Sequence, residues 1–232
     1  MSIVNTANKI VYYNSILDHK IEFDPHEAMF DKNCIIDIHR GTTGCERHII
    51  SDLVNNRGLD FSKAMIDIGA CTGEYSIQLP YQKVYAFEPN KYSRCILAAN
   101  MALHDRVDEV DLFDCVVSSY DGEIQFNGFE VEDERYIFNT EDQIFHYGEF
   151  RTQKCVKLDT LELTNIDFIK IDVERHELEV LNGAMETILR EKPKLLIEIA
   201  KENFDDVVKL IALNGYVNYW QYDEQNYLFW SI

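Results

Sequence analysis

Two kinds of hydrophobic pattern alternate along the chain from about residue 63. Short apolar runs of strand length are separated by segments in which apolar residues recur at helical spacing. The predicted strands are residues 64–68, 83–87, 110–117, 167–173 and 194–199. Strands that alternate with helices predict parallel crossovers, and therefore a doubly wound α/β sheet with helices on both faces.

Capping residues mark where several of these helices begin and end. One helix is predicted from Glu74, a second after Asn90 as its N-cap, and a last one from Asn203 to Gly215. Beyond it, residues 216–222 and 227–232 predict a C-terminal hairpin. We expect this hairpin to place one antiparallel strand at the edge of the sheet.

The pattern also divides the chain into regions. Residues 1–60 are predicted to form a mostly helical N-terminal cover, and residues 61–232 the α/β domain. Residues 127–153 are polar, acidic and aromatic and follow no strong period, which predicts an excursion over the ligand face. Ligands of such sheets bind at the carboxyl ends of the strands, near the point where the strand order reverses.

Composition and charge indicate which kinds of partner the protein could bind. The chain has 232 residues, with 22 basic and 41 acidic residues, and its formal net charge of −19 disfavours a phosphate backbone as partner. A small molecule is therefore expected, with no nucleic acid. The sequence contains no apolar run long enough for a membrane span and no N-terminal signal pattern, so we expect no membrane association.

The 6 cysteines show no CxxC pair or finger-like spacing. Such cysteines are typical of reduced thiols rather than of a disulfide framework or a zinc site. The sequence therefore predicts a cytoplasmic protein.

The first candidate motif, Asp67-Ile-Gly-Ala-Cys-Thr-Gly73, stands between a strand and a helix. Glycines there allow a tight turn and a close approach of the backbone to a ligand. The motif is not GxGxxG, so a dinucleotide pyrophosphate is disfavoured. A ligand without phosphates fits better, with Asp67 near a cationic amino-acid group. The alternative is an ordinary turn from strand to helix.

The second motif is Tyr85-Ala-Phe-Glu-Pro-Asn90. Glu88 ends the second strand about 20 positions after Gly69, where an acidic residue can accept hydrogen bonds from both ribose hydroxyls. This position suits S-adenosylmethionine (SAM) and NAD equally. An acidic residue stabilised by a helix N-terminus is the other interpretation.

The third motif, Phe168-Ile-Lys-Ile-Asp-Val-Glu-Arg-His-Glu177, runs from a strand into a helix. Lys170 and Asp172 share one face of the strand by the period of two. Asp172 and Glu174 lie where such a sheet presents reactive groups. A helix N-terminus enriched in acidic residues would give the same pattern.

Together the segments DIGACTGEYS, VYAFEPN, VKLDTL, IKIDVERHELEVLNGA and LLIEI resemble the FkbM family of SAM-dependent methyltransferases. The resemblance spans roughly residues 42–200. It implies the Rossmann-like class I methyltransferase fold, with a mostly parallel seven-stranded sheet. It also implies methyl transfer to a hydroxyl of a saccharide or related metabolite, with S-adenosylhomocysteine as the second product. The family usually has Gly where this chain has Arg175. This difference is expected to affect the geometry of the turn and the choice of substrate.

The resemblance assigns roles to individual residues. The SAM loop would comprise Asp67, Gly69, Ala70, Thr72 and Gly73. Glu88 would hold the ribose, with Pro89 and Asn90 beside the adenosine. On the substrate side would lie Asp172, Glu174, His176, Glu177 and Glu198. Glu46 also resembles a position near the cofactor, although Thr43-Gly-Cys-Glu46 equally fits a capping box.

Methyl transfer to a hydroxyl gains from a general base. His176 has a suitable ordinary pKa and Asp172 is the alternative. A third option is that Asp172 and Glu174 hold a divalent cation that acidifies the hydroxyl. In the excursion, His146 and Tyr147 would either stack on a sugar ring or pack on the sheet.

Other functions compete with O-methylation. N-methylation is one, and methylation of an anionic group contacted by Arg175 is another. A NAD-dependent oxidoreductase is disfavoured by the missing GxGxxG motif. A non-catalytic SAM-binding protein is a further alternative, because the residue at position 175 departs from the family. The oligomeric state is not indicated.

Overall fold

The computed structural model describes three N-terminal strands between residues 4 and 23, together with residues 46–126 and 151–231. The strands are β1 (Val4–Thr6), β2 (Lys9–Asn14), β3 (His19–Phe23), β4 (Ala64–Ile68), β5 (Lys83–Phe87), β6 (Val110–Phe113), β7 (Val116–Val117), β8 (Gly122–Phe126), β9 (Arg151–Val156), β10 (Ile166–Ile171), β11 (Lys194–Glu198), β12 (Asn218–Gln221) and β13 (Asn226–Trp230). The helices are α1 (Arg47–Asn56), α2 (Glu74–Gln78), α3 (Lys91–Leu103), α4 (Glu177–Glu191) and α5 (Phe204–Leu213).

A 7-stranded sheet in the order β12-β13-β11-β10-β4-β5-β6 forms the centre of the structure. The pairs from β6 to β11 are parallel, and β13 is antiparallel to both β11 and β12. The predicted α/β fold with a mostly parallel sheet and a C-terminal hairpin is thus confirmed. The strand order reverses between β4 and β10, and their carboxyl ends therefore mark the expected ligand site.

The position of the antiparallel strand differs from the prediction. We expected it at the sheet edge, but β13 lies between β11 and β12. Burial explains the difference, because Tyr227, Leu228 and Phe229 are buried whereas Tyr219 and Trp220 of β12 are about half exposed. The more apolar strand occupies the interior position, and the amphipathic one forms the edge.

Helices cover both faces of this sheet. On one face, α1, α2 and α3 pack against β4, β5 and β6 through one cluster of buried side chains, which includes Leu53, Tyr75 and Leu97. On the other face, α4 and α5 pack through a second cluster that includes Leu181 and Val207. The two clusters lie on opposite faces of the sheet, as expected for a three-layer α/β fold.

The predicted strand over 110–117 is in fact two strands in different sheets. β6 ends at Phe113, and β7 joins a separate 3-stranded sheet of order β7-β9-β8. A side-chain hydrogen bond from Gln153 Nε2 to the Asp114 backbone oxygen lies at the break. Residues 151–153 belong to β9, so the prediction of an excursion over 127–153 is wrong for these three residues. Its remaining residues, with Phe145, His146, Tyr147 and Phe150, lie outside the described ranges.

The prediction of a mostly helical segment over 1–60 is wrong for residues 4–6, 9–14 and 19–23, which are strands. β1, β2 and β3 form an antiparallel 3-stranded sheet. The run Ile10-Val-Tyr-Tyr13 is β-branched and aromatic, which favours a strand. Helix α1 is present, but its buried Ile49 and Leu53 belong to the core of the α/β domain. The structure therefore places no boundary at residue 60.

Candidate active site

The loop after β4 and the end of β10 meet at the point where the strand order reverses. The Asp172 backbone amide donates to the Ile68 oxygen at 3.0 Å. Gly69 has a φ of +79°, and a Cβ atom there would lie 1.7 Å from the Asp172 oxygen. Only glycine fits this contact, because any side chain would collide with the backbone of β10.

Further contacts hold the loop between the strand ends. The amides of Gly69 and Ala70 both donate to the Phe87 oxygen of β5, at 2.9 and 3.0 Å. Asn100 Nδ2 of α3 donates to the Thr72 oxygen at 2.8 Å. Gly73 then enters α2 with a φ of +91°. The predicted loop residues therefore form one continuous turn with many of its backbone groups fixed.

Asp67 lies beneath this turn and is 1% exposed. Its Oδ2 accepts hydrogen bonds from the Ser76 amide at 3.1 Å and from Ser76 Oγ at 2.6 Å. Burial raises its pKa, although the Lys170 charge and the Ser76 hydroxyl act in the opposite direction. Its Oδ1 is buried and has no hydrogen-bond partner among the described residues. Such an atom remains available to a donor from a bound molecule.

Glu88 follows β5 and is 7% exposed. Its carboxylate accepts hydrogen bonds from the Cys71 amide of the loop at 2.8 Å and from the Asn90 amide at 2.7 Å. Burial raises the pKa of Glu88 to about 7, against these two hydrogen bonds. Two bonds leave lone pairs free on both oxygens for further hydroxyl donors.

The residues after Glu88 are held by α3. Arg94 donates to the backbone oxygens of Glu88 and Pro89 at 2.9 and 2.6 Å. Asn90 Oδ1 accepts from the Ser93 amide at 3.2 Å, so the predicted N-cap is confirmed.

A buried ammonium group stands among carboxylates beside the loop. Lys170 is 3% exposed, and its Nζ lies 2.7 Å from Asp172 Oδ2 and 4.7 Å from the centroid of the Tyr75 ring. Burial lowers its pKa, but the charges of Asp172, Glu46 and Asp67 outweigh this and raise it overall. Lys170 is therefore a cation.

Glu198, at the end of β11, joins this cluster. Burial and the Asp172 charge raise its pKa to about 8, and a hydrogen bond with Asp172 contributes in the same direction. Glu74 is similar, since burial and the Glu46 charge raise its pKa to about 7. Burial, followed by the charges of Asp172 and Glu177, also raises the pKa of Glu174. We call Glu46, Asp67, Glu74, Asp172, Glu174 and Glu198 the acidic cluster.

Glu46 directly precedes α1, and its backbone oxygen accepts from the amides of Ile49 and Ile50. It occupies the N-cap position and makes no side-chain cap hydrogen bond. The capping-box interpretation is therefore wrong, because it requires Glu46 in the third helical position. The charge of Glu46 acts on Glu74, Lys170 and Glu198 instead.

The turn between β10 and α4 has an unusual backbone. Glu174 and Arg175 have φ values of +48° and +76°, a region that favours glycine. Glu177 is 1% exposed and accepts from the Arg175 amide at 3.0 Å and from Asn203 Nδ2 at 2.6 Å. Both of its oxygens thus hold the turn. The Arg175 side chain forms an exposed ion pair of 2.9 Å with Glu202.

His176 lies at the start of α4, and its contacts differ from those of the acidic cluster. Its Nε2 is 3.0 Å from Ser118 Oγ, and its Nδ1 is 3.7 Å from Glu179. His176 is thus held by Ser118 and α4. The predicted site residues that the structure brings around the loop are Glu46, Asp67, Glu88, Asp172, Glu174 and Glu198. Sequence reasoning assigned no role to Ser76 or Tyr75, which contact the site from α2.

Within the described ranges, no group of three or more His, Cys, Asp or Glu side chains could hold a metal ion. In the same ranges, no helix combines the length and apolarity needed to cross a membrane.

A doubly wound sheet with an inserted antiparallel strand, an acidic residue near the end of β4 and another directly after β5 defines a class I methyltransferase fold. Residues 67–218 match the family described as the methyltransferase FkbM domain, and the chain belongs to this family. The methyltransferase sdnD of Sordaria araneosa is 27% identical over 156 residues, covering 53% of this chain and 60% of the relative. The chain thus spans about three fifths of that relative.

Solved structures agree on the fold. The FkbM methyltransferase of Methylobacillus flagellatus aligns with a TM-score of 0.56 at 19% identity, over 78% of this chain and 47% of that one. A Streptococcus mutans protein in complex with S-adenosylhomocysteine aligns with a TM-score of 0.50 at 12% identity, over 82% of this chain and 100% of that one. The predicted family and fold are confirmed.

The residues present fit SAM, the predicted cofactor, which the family assignment supports. Asp67 Oδ1 is a buried acceptor without a described partner, as a ligand ammonium group requires. Glu88 has free lone pairs at the position where ribose hydroxyls are expected. Gly69 has no side chain, so a ligand can approach the backbone at the turn. When bound, SAM supplies an electrophilic methyl group.

Proposed function

We propose that this protein transfers a methyl group from SAM to a hydroxyl of a small molecule, a saccharide or a related metabolite. The position of Asp172 is the main observation that supports this proposal. Its backbone abuts Gly69 of the cofactor loop, and its side chain is 28% exposed. A partly exposed carboxylate at the border of a cofactor loop is suitably placed to accept a proton from an acceptor.

Asp172 is the proposed general base. A hydroxyl is a poor nucleophile, and its proton passes to the Asp172 carboxylate as the oxygen–methyl bond forms. Glu174 lies close enough for its pKa to respond to the Asp172 charge, so we place it beside the acceptor. His176 is the weaker candidate for the base, because Ser118 and Glu179 engage its ring nitrogens.

The charges around the site bear on the acceptor. The acidic cluster contains six carboxyl side chains and faces one buried lysine, so an anionic acceptor would be repelled. The cation that suggested an anionic acceptor, Arg175, pairs with Glu202 at the surface. A neutral polyhydroxylated acceptor avoids this repulsion and offers several hydroxyls.

The net charge of −19 likewise supports a small-molecule partner over a nucleic acid. The described cysteines Cys71, Cys95, Cys115 and Cys155 are free thiols. We therefore place the activity in a reducing compartment, the cytoplasm.

Isothermal titration calorimetry with SAM tests the cofactor assignment. We expect wild type to bind SAM and not NAD, and Asp67→Ala and Glu88→Ala to lose most of the affinity. Asp111→Ala is the matched control, since Asp111 is a buried acid that pairs with Lys83 away from the loop. A folded wild type that binds no SAM would overturn the proposal.

A panel of saccharides, amines and carboxylic acids with radiolabelled SAM then tests the acceptor. We expect label in saccharides and at least a hundredfold loss of rate in Asp172→Asn, in the range of general-base effects. Label in amines alone would replace O-methylation by N-methylation. SAM binding without turnover on any acceptor would indicate a non-catalytic SAM-binding protein.

A further inference from the structure

Lys170 is a buried cation to which the proposed reaction assigns no role. Burying an ammonium group is costly unless nearby groups compensate its charge. Here the Asp172 carboxylate at 2.7 Å and the face of the Tyr75 ring provide that compensation. A hydrophobic residue at this position would avoid the cost altogether. The buried charge therefore calls for an explanation beyond packing.

The strand register shows how the sheet assembles the group. Lys170 pairs with Asp67 of β4 on one side and with Leu196 of β11 on the other, so these side chains share one face. Glu198 lies two residues after Leu196 at the end of β11, and Asp172 lies two residues after Lys170, directly beyond the end of β10. Lys170, Asp172 and Glu198 thus form a row at the carboxyl ends of β10 and β11.

We propose that Lys170 is a positioning residue of the methyl-transfer site. Its ammonium holds the Asp172 carboxylate from the buried side while Glu198 hydrogen-bonds the same carboxylate from β11, so that Asp172 is fixed in place for the acceptor hydroxyl. This inference rests on the proposed function. It adds that one cation selects which carboxyl of the acidic cluster acts as the base.

Several charged or titratable groups influence the Asp172–Glu198 pair. They are Glu46 before α1, Asp67 of β4, Cys71 of the loop, Tyr75 of α2, Glu88 after β5, Lys170 of β10 and Glu174 of the turn after β10. Lys170 is the member of this set that lowers the pKa of Glu198, whereas Asp172 and Glu46 raise it. Without the lysine charge, the pair would retain its proton to higher pH.

The test is a pH titration of side-chain carboxyls by ¹³C NMR on the full chain without ligand. Glu198→Gln assigns the Glu198 signal. We expect Lys170→Met to move the titration of the pair upward by a pH unit or more, and Lys170→Arg to restore it to within a few tenths of a unit. Lys83→Met is the matched control, because Lys83 also pairs with an aspartate and lies 5.3 Å from a tyrosine ring, but at the amino end of β5.

A folded Lys170→Met protein with an unchanged titration would overturn the inference. Lys170→Gln replaces it if the methionine variant does not fold. The Lys170→Arg variant tests separately whether the role of Lys170 is electrostatic. Arginine retains the positive charge, so a shift of a full pH unit in the titration of the pair would contradict an electrostatic role.

SAM calorimetry on the same proteins separates this inference from the proposed function. If wild type does not bind SAM, the proposed function is overturned. If wild type binds SAM but Lys170→Met leaves the titration of the pair unchanged, only the role of Lys170 is overturned. With a methyl acceptor, the acidic limb of the kcat profile of Lys170→Met should move to higher pH in parallel with the titration.

Discussion

Gly69 and Asp172 meet backbone to backbone, and a Cβ atom on Gly69 would lie 1.7 Å from the Asp172 oxygen. This contact joins the turn after β4 to the end of β10, and so joins the proposed cofactor loop to the proposed base. Any displacement of one therefore moves the other.

We predict that Gly69→Ala unfolds the site or separates the two strand ends, with a loss of several kcal/mol of stability and of SAM binding. Gly58→Ala is the matched control. Gly58 also has a positive φ, of +59°, but a Cβ atom there would have no described atom within 4 Å. The control should lose only about 1 kcal/mol, the cost of the backbone strain. Urea denaturation and calorimetry measure both effects, and equal losses would contradict the close-contact argument.

Ser76→Ala should lower the free energy of unfolding by about 1–2 kcal/mol, because the buried Asp67 carboxylate loses its 2.6 Å hydrogen bond. SAM affinity should fall as well, since Asp67 is no longer held in place. Ser62→Ala removes a hydrogen bond of the same length, from Ser62 Oγ to Asp60, at an exposed position. That control should change stability by less than about 0.5 kcal/mol. Similar losses in the two variants would show that burial of Asp67 does not matter.

Arg175→Gly should raise stability by about 1 kcal/mol, because glycine adopts the φ of +76° without strain. The exposed ion pair with Glu202 that is lost contributes little. Arg175→Ala retains a Cβ atom and removes the same ion pair, so it should leave stability nearly unchanged. Thermal denaturation compares the two, and a destabilised glycine variant would show that the arginine contributes more than a surface contact.

Stability without ligand should fall as pH rises from 5 to 9. Burial raises the pKa of Glu88 and Glu74 from 4.5 to about 7, and that of Glu198 to about 8. A carboxyl with a raised folded pKa stabilises the protein fully below its unfolded pKa, and this contribution is lost as pH rises through the folded value. For Glu88 alone the change is on the order of 3 kcal/mol.

Carboxyls with lowered pKa, such as Asp52 and Glu191, lose their contribution only at more acidic pH and do not affect this window. Urea denaturation at pH 5.5 and pH 8.5 measures the slope. Glu198→Gln should reduce it, because the amide does not ionise. A wild type that is more stable at pH 8.5 would refute the burial argument.

Local sequence predicted much of the site. Asp67 stands near the end of a strand, and Gly69 and Glu88 stand directly after strands, so their positions follow once those strands are recognised. Asn90 likewise indicates the start of its helix through its own side chain. Such features depend on neighbours in the chain, which a pattern can show.

Features that depend on distant partners were missed. The position of Lys170 beside Asp67 depends on the strand register, and its contact with the Tyr75 ring depends on the docking of α2. The interior position of β13 depends on which hairpin strand is better buried. The N-terminal strands have a strong β-propensity over Ile10–Tyr13, but a short propensity signal was outweighed there by the expectation of a helical cover.

The insertion of β13 between β11 and β12 also affects how the protein is made. β12 precedes β13 in the chain, yet it joins the sheet only through β13. During synthesis, the edge of β11 therefore remains unpaired until Asn226–Trp230 have been translated. A ribosome-bound chain that stops at Gln221 would expose this edge to other chains, because the sheet is not complete until β13 has been made.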